Sequence, residues 1–221
     1  MSLLRLDPHS SEVQRDLRDP HDLHRTIMSA FPSVLDPEQE ARAHWGVLHR
    51  LEYQTKAGRV LLYVQSRVEP NWSVLPSGYV LDDGMANPAV KSVARAYDTL
   101  KAGRTLRFRL RANPTRKIKT KSGTNGDRRN GKRVPLRRTD DQLSWLRRKG
   151  EQHGFDLLQV NIVATGSAEL IESHKTGRTF QGVVYEGYLT VRDAMRFRDA
   201  LERGIGPGKA YGFGLLSIGP A

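Results

Sequence analysis

The sequence predicts an α+β fold of two tandem ferredoxin-like (RRM-like) βαββαβ units, each with an antiparallel sheet covered by helices on one side. Three observations lead there. Residues 104–218 run strand–helix–strand–strand–helix–strand, with period-two alternation in the strands and apolar stripes in the helices. Residues 2–100 carry a poorer copy of the same order. The chain has 221 residues, enough for two small domains with cores of their own, and Lys101-Ala102-Gly103 falls between the copies. The expected domains are 1–100 and 103–221.

Ser2 to Leu6 reads as the first strand. Asp19-Pro20 starts a helix, because Asp can cap and Pro suits the first turn. That helix runs to about Phe31, ahead of Pro32, with Leu23, Ile27, Ala30 and Phe31 as its apolar stripe. His44–Tyr53 and Arg59–Gln65 form a hairpin across Lys56-Ala57-Gly58. An irregular stretch with Pro70, Trp72, Pro76 and Pro88 follows, and Val90–Leu100 is a helical connector. In the second unit Arg104–Ala112 is a strand. Pro114–Asn130 is a basic loop with Ser-Gly and Asn-Gly turns, and Lys132–Leu136 is a short strand. Thr139–His153 is a helix with Leu143, Trp145 and Leu146 on its apolar side. Phe155–Thr165 and Thr179–Val191 are strands, Asp193–Arg203 a helix and Tyr211–Ile218 the last strand.

Charge narrows the function. Net charge is +12, with a pI near 10.2. Residues 101–149 hold eighteen Lys and Arg against three Asp, leaving the rest of the chain slightly acidic. So concentrated a field calls for a polyanion. Along 104–112, Leu106, Phe108 and Leu110 alternate with Arg107, Arg109 and Arg111, so one face is apolar and the other all arginine. Arginine forks phosphate and stacks on bases, which makes nucleic acid the expected partner. A solvated face is the bland alternative for any single Lys or Arg. The absence of cysteine excludes a disulfide framework and thiolate metal sites, no apolar run approaches a membrane span, and Met1–Asp7 does not read as a signal peptide. A cytoplasmic protein with no membrane association is expected.

The run 204–214 packs five glycines, Gly204, Gly206, Gly208, Gly212 and Gly214, around Lys209. It fits neither a Walker loop nor GxGxxG: Arg203 and Ala210 stand where glycine and Ser/Thr are needed, and Tyr211 ends the second pattern. Two readings stay open: a helix stop and turn, or a backbone that approaches a phosphodiester. The seven histidines show no metal-ligand spacing, and no metal or other cofactor is expected. His21 and His24 lie roughly 60° apart on the opening helix, so their rings can share one flank.

Arg107–Pro114, Gly131–Leu136 and Gly204–Ser217, together with Glu69–Val74 and Arg15–His24, resemble the CRISPR-associated endoribonucleases of type I-E systems, the CasE family, in the expected order along nearly the whole chain. The resemblance implies binding of the stem-loop of CRISPR repeat RNA and metal-independent cleavage at the 3′ base of the stem. Attack by the 2′-hydroxyl leaves a 2′,3′-cyclic phosphate, and the mature crRNA stays bound as the protein joins the other Cascade subunits. A chain monomeric when free is expected. The family motif has histidine at the place of His24, which becomes the catalytic candidate. It commonly has tyrosine at the place of His21 and, in some members, lysine at that of Ser29, and this chain departs at both. His21 then serves as second proton-transfer group or phosphate-orienting group, with Arg25 neutralising charge.

The RNA-binding candidates are Arg107, Arg109, Arg111, Arg116, Lys117, Lys119, Arg128, Arg129, Lys132, Arg133 and Lys209. His174, Lys175 and Arg178 join them at the tip of a basic hairpin. An RNA-binding scaffold without cleavage activity explains the charge equally well but leaves the His21/His24 flank unexplained. A DNA-binding regulator fits less well, since nothing reads as a helix-turn-helix or zinc module.

Overall fold

The structure, a computed structural model, describes residues 1–34, 41–54, 57–118, 133–163 and 169–221. It contains two four-stranded antiparallel cores with the same connectivity. In the first, β1 (Ser2–Leu6), β2 (Leu48–Gln54), β3 (Arg59–Gln65) and the two-residue β4 (Ala89–Val90) lie in the order β2-β3-β1-β4. In the second, β5 (Thr105–Ala112), β8 (Phe155–Val163), β10 (Arg178–Val191) and β11 (Leu216–Pro220) lie in the order β11-β5-β10-β8. Each is the fourth-first-third-second arrangement of a ferredoxin-like unit. The strand β9 (Glu169–Ser173) pairs with the start of β10, and β6 (Thr115–Lys117) with β7 (Arg133–Pro135) forms a separate small hairpin.

The first sheet buries Leu4, Leu6, Leu62 and Val64 under α1 (Ser11–Arg18) and α2 (Pro20–Ser29). The helix α1 has only Val13 and Leu17 as apolar residues, too few for a readable stripe, so the sequence places no helix there. Asp19 ends α1 and caps α2, its side chain accepting from the His21 N–H at 2.8 Å. Where a second helix would cover this sheet there is a single 3-10 turn at Trp72–Val74. The expected connector shrinks to β4 and α4 (Ala94–Asp98). The strand expected from His44 begins at Leu48, behind the short helix α3 (Ala41–His44). In the second unit, α5 (Thr139–His153) and α6 (Ala194–Arg203) cover Phe108, Leu110, Tyr185 and Val191. The last strand starts at Leu216 rather than Tyr211, since Lys209–Tyr211 is a 3-10 turn flanked by glycines with positive φ.

Buried polar contacts lock the two units together. Arg50, 3% exposed, donates to the Leu215 carbonyl at 3.2 Å and to Ser217 Oγ at 2.9 Å. Gln65 donates to the Leu201 carbonyl at 2.6 Å and accepts at 2.7 Å from the hydroxyl of Tyr97, which with Leu100 packs in the second core although both precede residue 103. The edge strand β2 is thereby laid against β11, and the two sheets meet at a seam.

Candidate nuclease site and RNA interface

The helix α2 lies on that seam. Leu23 and Ile27 turn into the first core, and the His24 ring lies over β2 at the edge facing the seam. His24 is half-buried, and its Nδ1 is buried with no hydrogen-bond partner among the described residues. Behind it the His49 ring of β2 lies 6.3 Å away, centroid to centroid, at 18° between planes. His49 is 1% exposed, and its Nε2 is likewise buried without a hydrogen-bond partner among the described residues. Burial, helped by Arg42 and His21, lowers the His24 pKa to about 4. Burial, with His24, Arg111 and Arg42 adding to it, takes His49 to about 3. Both imidazoles are therefore neutral at pH 7, and His24 offers a free-base nitrogen rather than an acid.

The second unit closes around this helix. The tip between β9 and β10 docks on the start of α2. There Asp19 accepts from the Lys175 N–H at 3.2 Å, and Lys175 Nζ bonds Asp22 at 2.5 Å. Lys175, expected as a free RNA contact, is thus half-committed to holding α2, while His174 and Arg178 at the same tip are exposed. His21 is half-buried beside the cap, and exposed Arg25 lines a cleft of about 330 Å³ with Arg15, Thr26, Ser29 and Lys175.

The arginine face of β5 differs from expectation because β2 covers it. Arg107 is exposed as predicted. Arg109 is held between Glu52, at 3.1 Å, and Glu186. Arg111 is 7% exposed, its guanidinium 5.1 Å above the Phe213 ring. Two of the three arginines therefore build the seam rather than an open surface. Lys119, Arg128, Arg129 and Lys132 lie outside the described residues. Arg116, Lys117 and Arg133 stand exposed on the β6–β7 hairpin.

Arg133 and Lys209 also line a cleft of about 440 Å³ with Arg148, Lys149 and His153 of α5. Burial lowers the pKa of Lys209, with Arg42 and Arg203 next, and that of Lys149, with Arg133 and Arg148 next. The α5 cations and His49 escaped sequence reasoning. Arg148 and Lys149 look like ordinary helix-surface charges, and His49 sits in an unremarkable strand pattern. Only the fold brings them to the site.

The glycine-rich run is explained largely by packing. A Cβ at Gly204 would lie 2.7 Å from Leu48, at Gly206 3.0 Å from Trp145, and at Gly208 2.9 Å from Phe213, each at a positive φ. Gly212 instead faces His49 Nε2 and Arg111 at 3.5 Å. Among the described residues, no three His, Cys, Asp or Glu side chains come together as a metal site, and no helix is long and apolar enough to cross a membrane.

Residues 1–220 match the family described as CRISPR associated protein. The chain is 35% identical over 233 residues to the CRISPR-associated endoribonuclease Cse3 of Thermus thermophilus, spanning 100% of this chain and 99% of that one. It belongs to the CasE/Cse3 family of CRISPR-associated proteins. A second member, the CRISPR system Cascade subunit CasE of Escherichia coli, is 32% identical over 186 residues, covering 80% of this CasE-family chain and 90% of its own. The solved structure of Thermus thermophilus Cse3 bound to an RNA representing a pre-cleavage complex matches with a TM-score of 0.80 at 36% identity, over 99% of this chain and 98% of that one. Cas6e from Escherichia coli matches with a TM-score of 0.65 at 26% identity, over 100% of both chains.

Proposed function

We propose that this CasE-family protein is a metal-independent endoribonuclease that binds the stem-loop of CRISPR repeat RNA and cuts at the 3′ base of the stem. Residues 1–100 act as the unit carrying the catalytic helix. Residues 103–221 act as the unit carrying the basic strand, hairpin and glycine-rich loop. The observation that carries the reading is the neutral, half-buried imidazole of His24, on a helix that Lys175 of the second unit holds at its start.

RNA carries its own nucleophile, so the protein need only move two protons and neutralise charge. Neutral His24 takes the proton of the 2′-hydroxyl. The 2′-oxygen bonds to phosphorus, the bond from phosphorus to the 5′-oxygen breaks, and the leaving oxygen takes a proton from His21. The products are a 2′,3′-cyclic phosphate and a 5′-hydroxyl. Arg25 neutralises the phosphorane charge from the exposed side of the same helix. The exposed cations of the β6–β7 hairpin and of the 174–178 tip hold backbone phosphates of the stem, whose narrow A-form major groove suits a slim ribbon. The crRNA product stays bound, the other Cascade subunits are the protein partners, and the reaction is cytoplasmic.

Labelled repeat RNA incubated with the protein in excess EDTA tests this directly. One discrete cut ending in a cyclic phosphate is expected. A shifted band with no cut would replace the nuclease by an RNA-binding scaffold.

A further inference from the structure

The seam has a second open end, away from His24. Four strands lie side by side there: Tyr188 of β10 pairs with Arg107 of β5, Arg107 with Gly219 of β11, and Tyr188 with Gln159 of β8. Tyr188 and Arg107 therefore project from neighbouring strands on the same sheet face, the one turned toward the first unit. They line a cleft of about 560 Å³ together with Asn161, Tyr63, Glu186 and Gly219.

Three features make this cleft more than leftover space. Tyr188 is 37% exposed, a large aromatic ring left partly open although it sits on a central strand. The floor is neutralised internally, because Arg50 and Arg109 pair with Glu52 and Glu186. Arg107 is then the cation lining the cleft that has no ion pair among the described residues. Above Gly219 a side chain would meet nothing within 4 Å, so the space next to Arg107 is clear.

An aromatic face, an adjacent unpaired arginine and an amide within one cleft are the parts that hold an unstacked nucleotide: ring for the base, guanidinium for the phosphate, amide for a base edge. We infer that this end of the sheet binds a single-stranded nucleotide flanking the RNA stem, its base stacked on Tyr188 and its phosphate on Arg107. At about 3.3 Å per residue, Arg107 lies roughly 13 Å along β5 from Arg111, which sits beside His49. The cleft is thus within reach of the strand that leaves the cleavage centre. The inference rests on RNA being the ligand of the nuclease reading and deepens it, giving Arg107 of the basic strand a single-stranded nucleotide rather than the stem as its partner.

The test uses repeat RNA with both single-stranded flanks, the same RNA lacking the 5′ flank, the same RNA lacking the 3′ flank, and the bare stem-loop. Tyr188→Ala should weaken binding of the fully flanked RNA about five- to tenfold, the low end of a base-stacking contact. It should leave the bare stem-loop within twofold of wild type, and Tyr188→Phe should restore wild-type affinity. Removing the flank that occupies the cleft should erase the difference between wild type and Tyr188→Ala, which identifies the flank. A 2-aminopurine in that flank should lose fluorescence on binding wild type and regain it with Tyr188→Ala. Equal weakening of flanked and bare RNA, or no weakening of either, overturns the inference. Cutting of the flanked RNA by the wild-type protein is scored in the same tubes, so failure of the nuclease reading shows separately from failure of the cleft.

Discussion

Both sheets share one strand order, yet they differ between their third and fourth strands. In the second unit α6 spans that gap, burying Phe197, Ala200 and Leu201 in the larger core. In the first unit the gap holds a 3-10 turn and an irregular run. The regular unit supplies cations, while the irregular one supplies the imidazoles. The irregular unit does not fix its functional helix alone: Leu23 and Ile27 sit in its core, but Asp22 and the cap Asp19 are gripped by Lys175 of the second unit, and the 209–211 turn packs against the same helix. A duplicated topology has here become a scaffold half and a chemical half, with the reacting group at their contact.

That division breaks most visibly at His24. His24→Ala should lower the single-turnover cleavage rate by about 10²–10⁴-fold, the usual range for a general base, and leave repeat-RNA affinity within about twofold. Rates in EDTA and filter binding on the same preparation check both. Equal losses in rate and affinity would mean that the chemical half also binds. The acid limb of kcat/KM should fall near pH 4 rather than 6.5, since burial holds the free-protein imidazole there.

Salt should act on the scaffold half alone. Affinity for repeat RNA should fall by about 0.7–0.9 log units per tenfold salt for each phosphate neutralised, so several contacts give a loss of a hundredfold or more over a decade of salt. Replacing Arg116, Lys117 and Arg133 by Ala should reduce that slope by about two to three units without altering the cleavage rate of saturated complex. Titrations at several salt concentrations measure the slope.

How much of this was legible in the sequence follows the same division. The second unit reads well because its strands and helices are long: β5 alternates strictly, α6 carries an apolar stripe, and α5 groups Leu143, Trp145 and Leu146 over fifteen residues that end at Gly154. The first reads poorly because α1 has two apolar residues and β4 only two residues in all, so local pattern is weak and tertiary packing decides. Alternation placed Arg109 and Arg111 on the correct face but could not say what lies opposite, and it is Glu52 and Phe213 that turn them into seam residues. His24 was reachable through motif resemblance. His49 was not, because its role depends on the approach of two strands and a turn distant in sequence.

Cutting the latch between the halves should cost stability before chemistry. Arg50→Ala removes a buried guanidinium from the Leu215 carbonyl and Ser217 and leaves both without it. A cost of about 3 kcal/mol is expected from leaving a buried carbonyl and hydroxyl without their charged donor, Glu52 keeping Arg109 as its partner. At about 2–4 °C per kcal/mol for a chain of this size, the thermal midpoint should fall by roughly 6–12 °C. Ser217→Ala, which removes one acceptor only, should cost less than half of that. Scanning calorimetry of both variants separates loss of the latch from general damage, because an unlatched protein should unfold in two transitions.

The smallest effect concerns the buried imidazole pair. Both folded-state pKa values, about 4 and about 3, lie below the ordinary 6.5, so the folded protein resists protons that the unfolded chain accepts. Stability contributed by the neutral pair is complete above pH 6.5. It is lost as pH falls from 6.5 toward 4, at about 1.4 kcal/mol per pH unit for each histidine as an upper bound. His49→Gln keeps a polar side chain of similar length but cannot titrate, so it should roughly halve the histidine-dependent slope of unfolding free energy between pH 6.5 and 4.5. It should leave stability at pH 8 changed by no more than about 1 kcal/mol. Urea melts at half-unit pH steps give the slope directly. An unchanged slope would place the sensitivity in His24 or in His153, whose pKa burial also lowers, and not in His49.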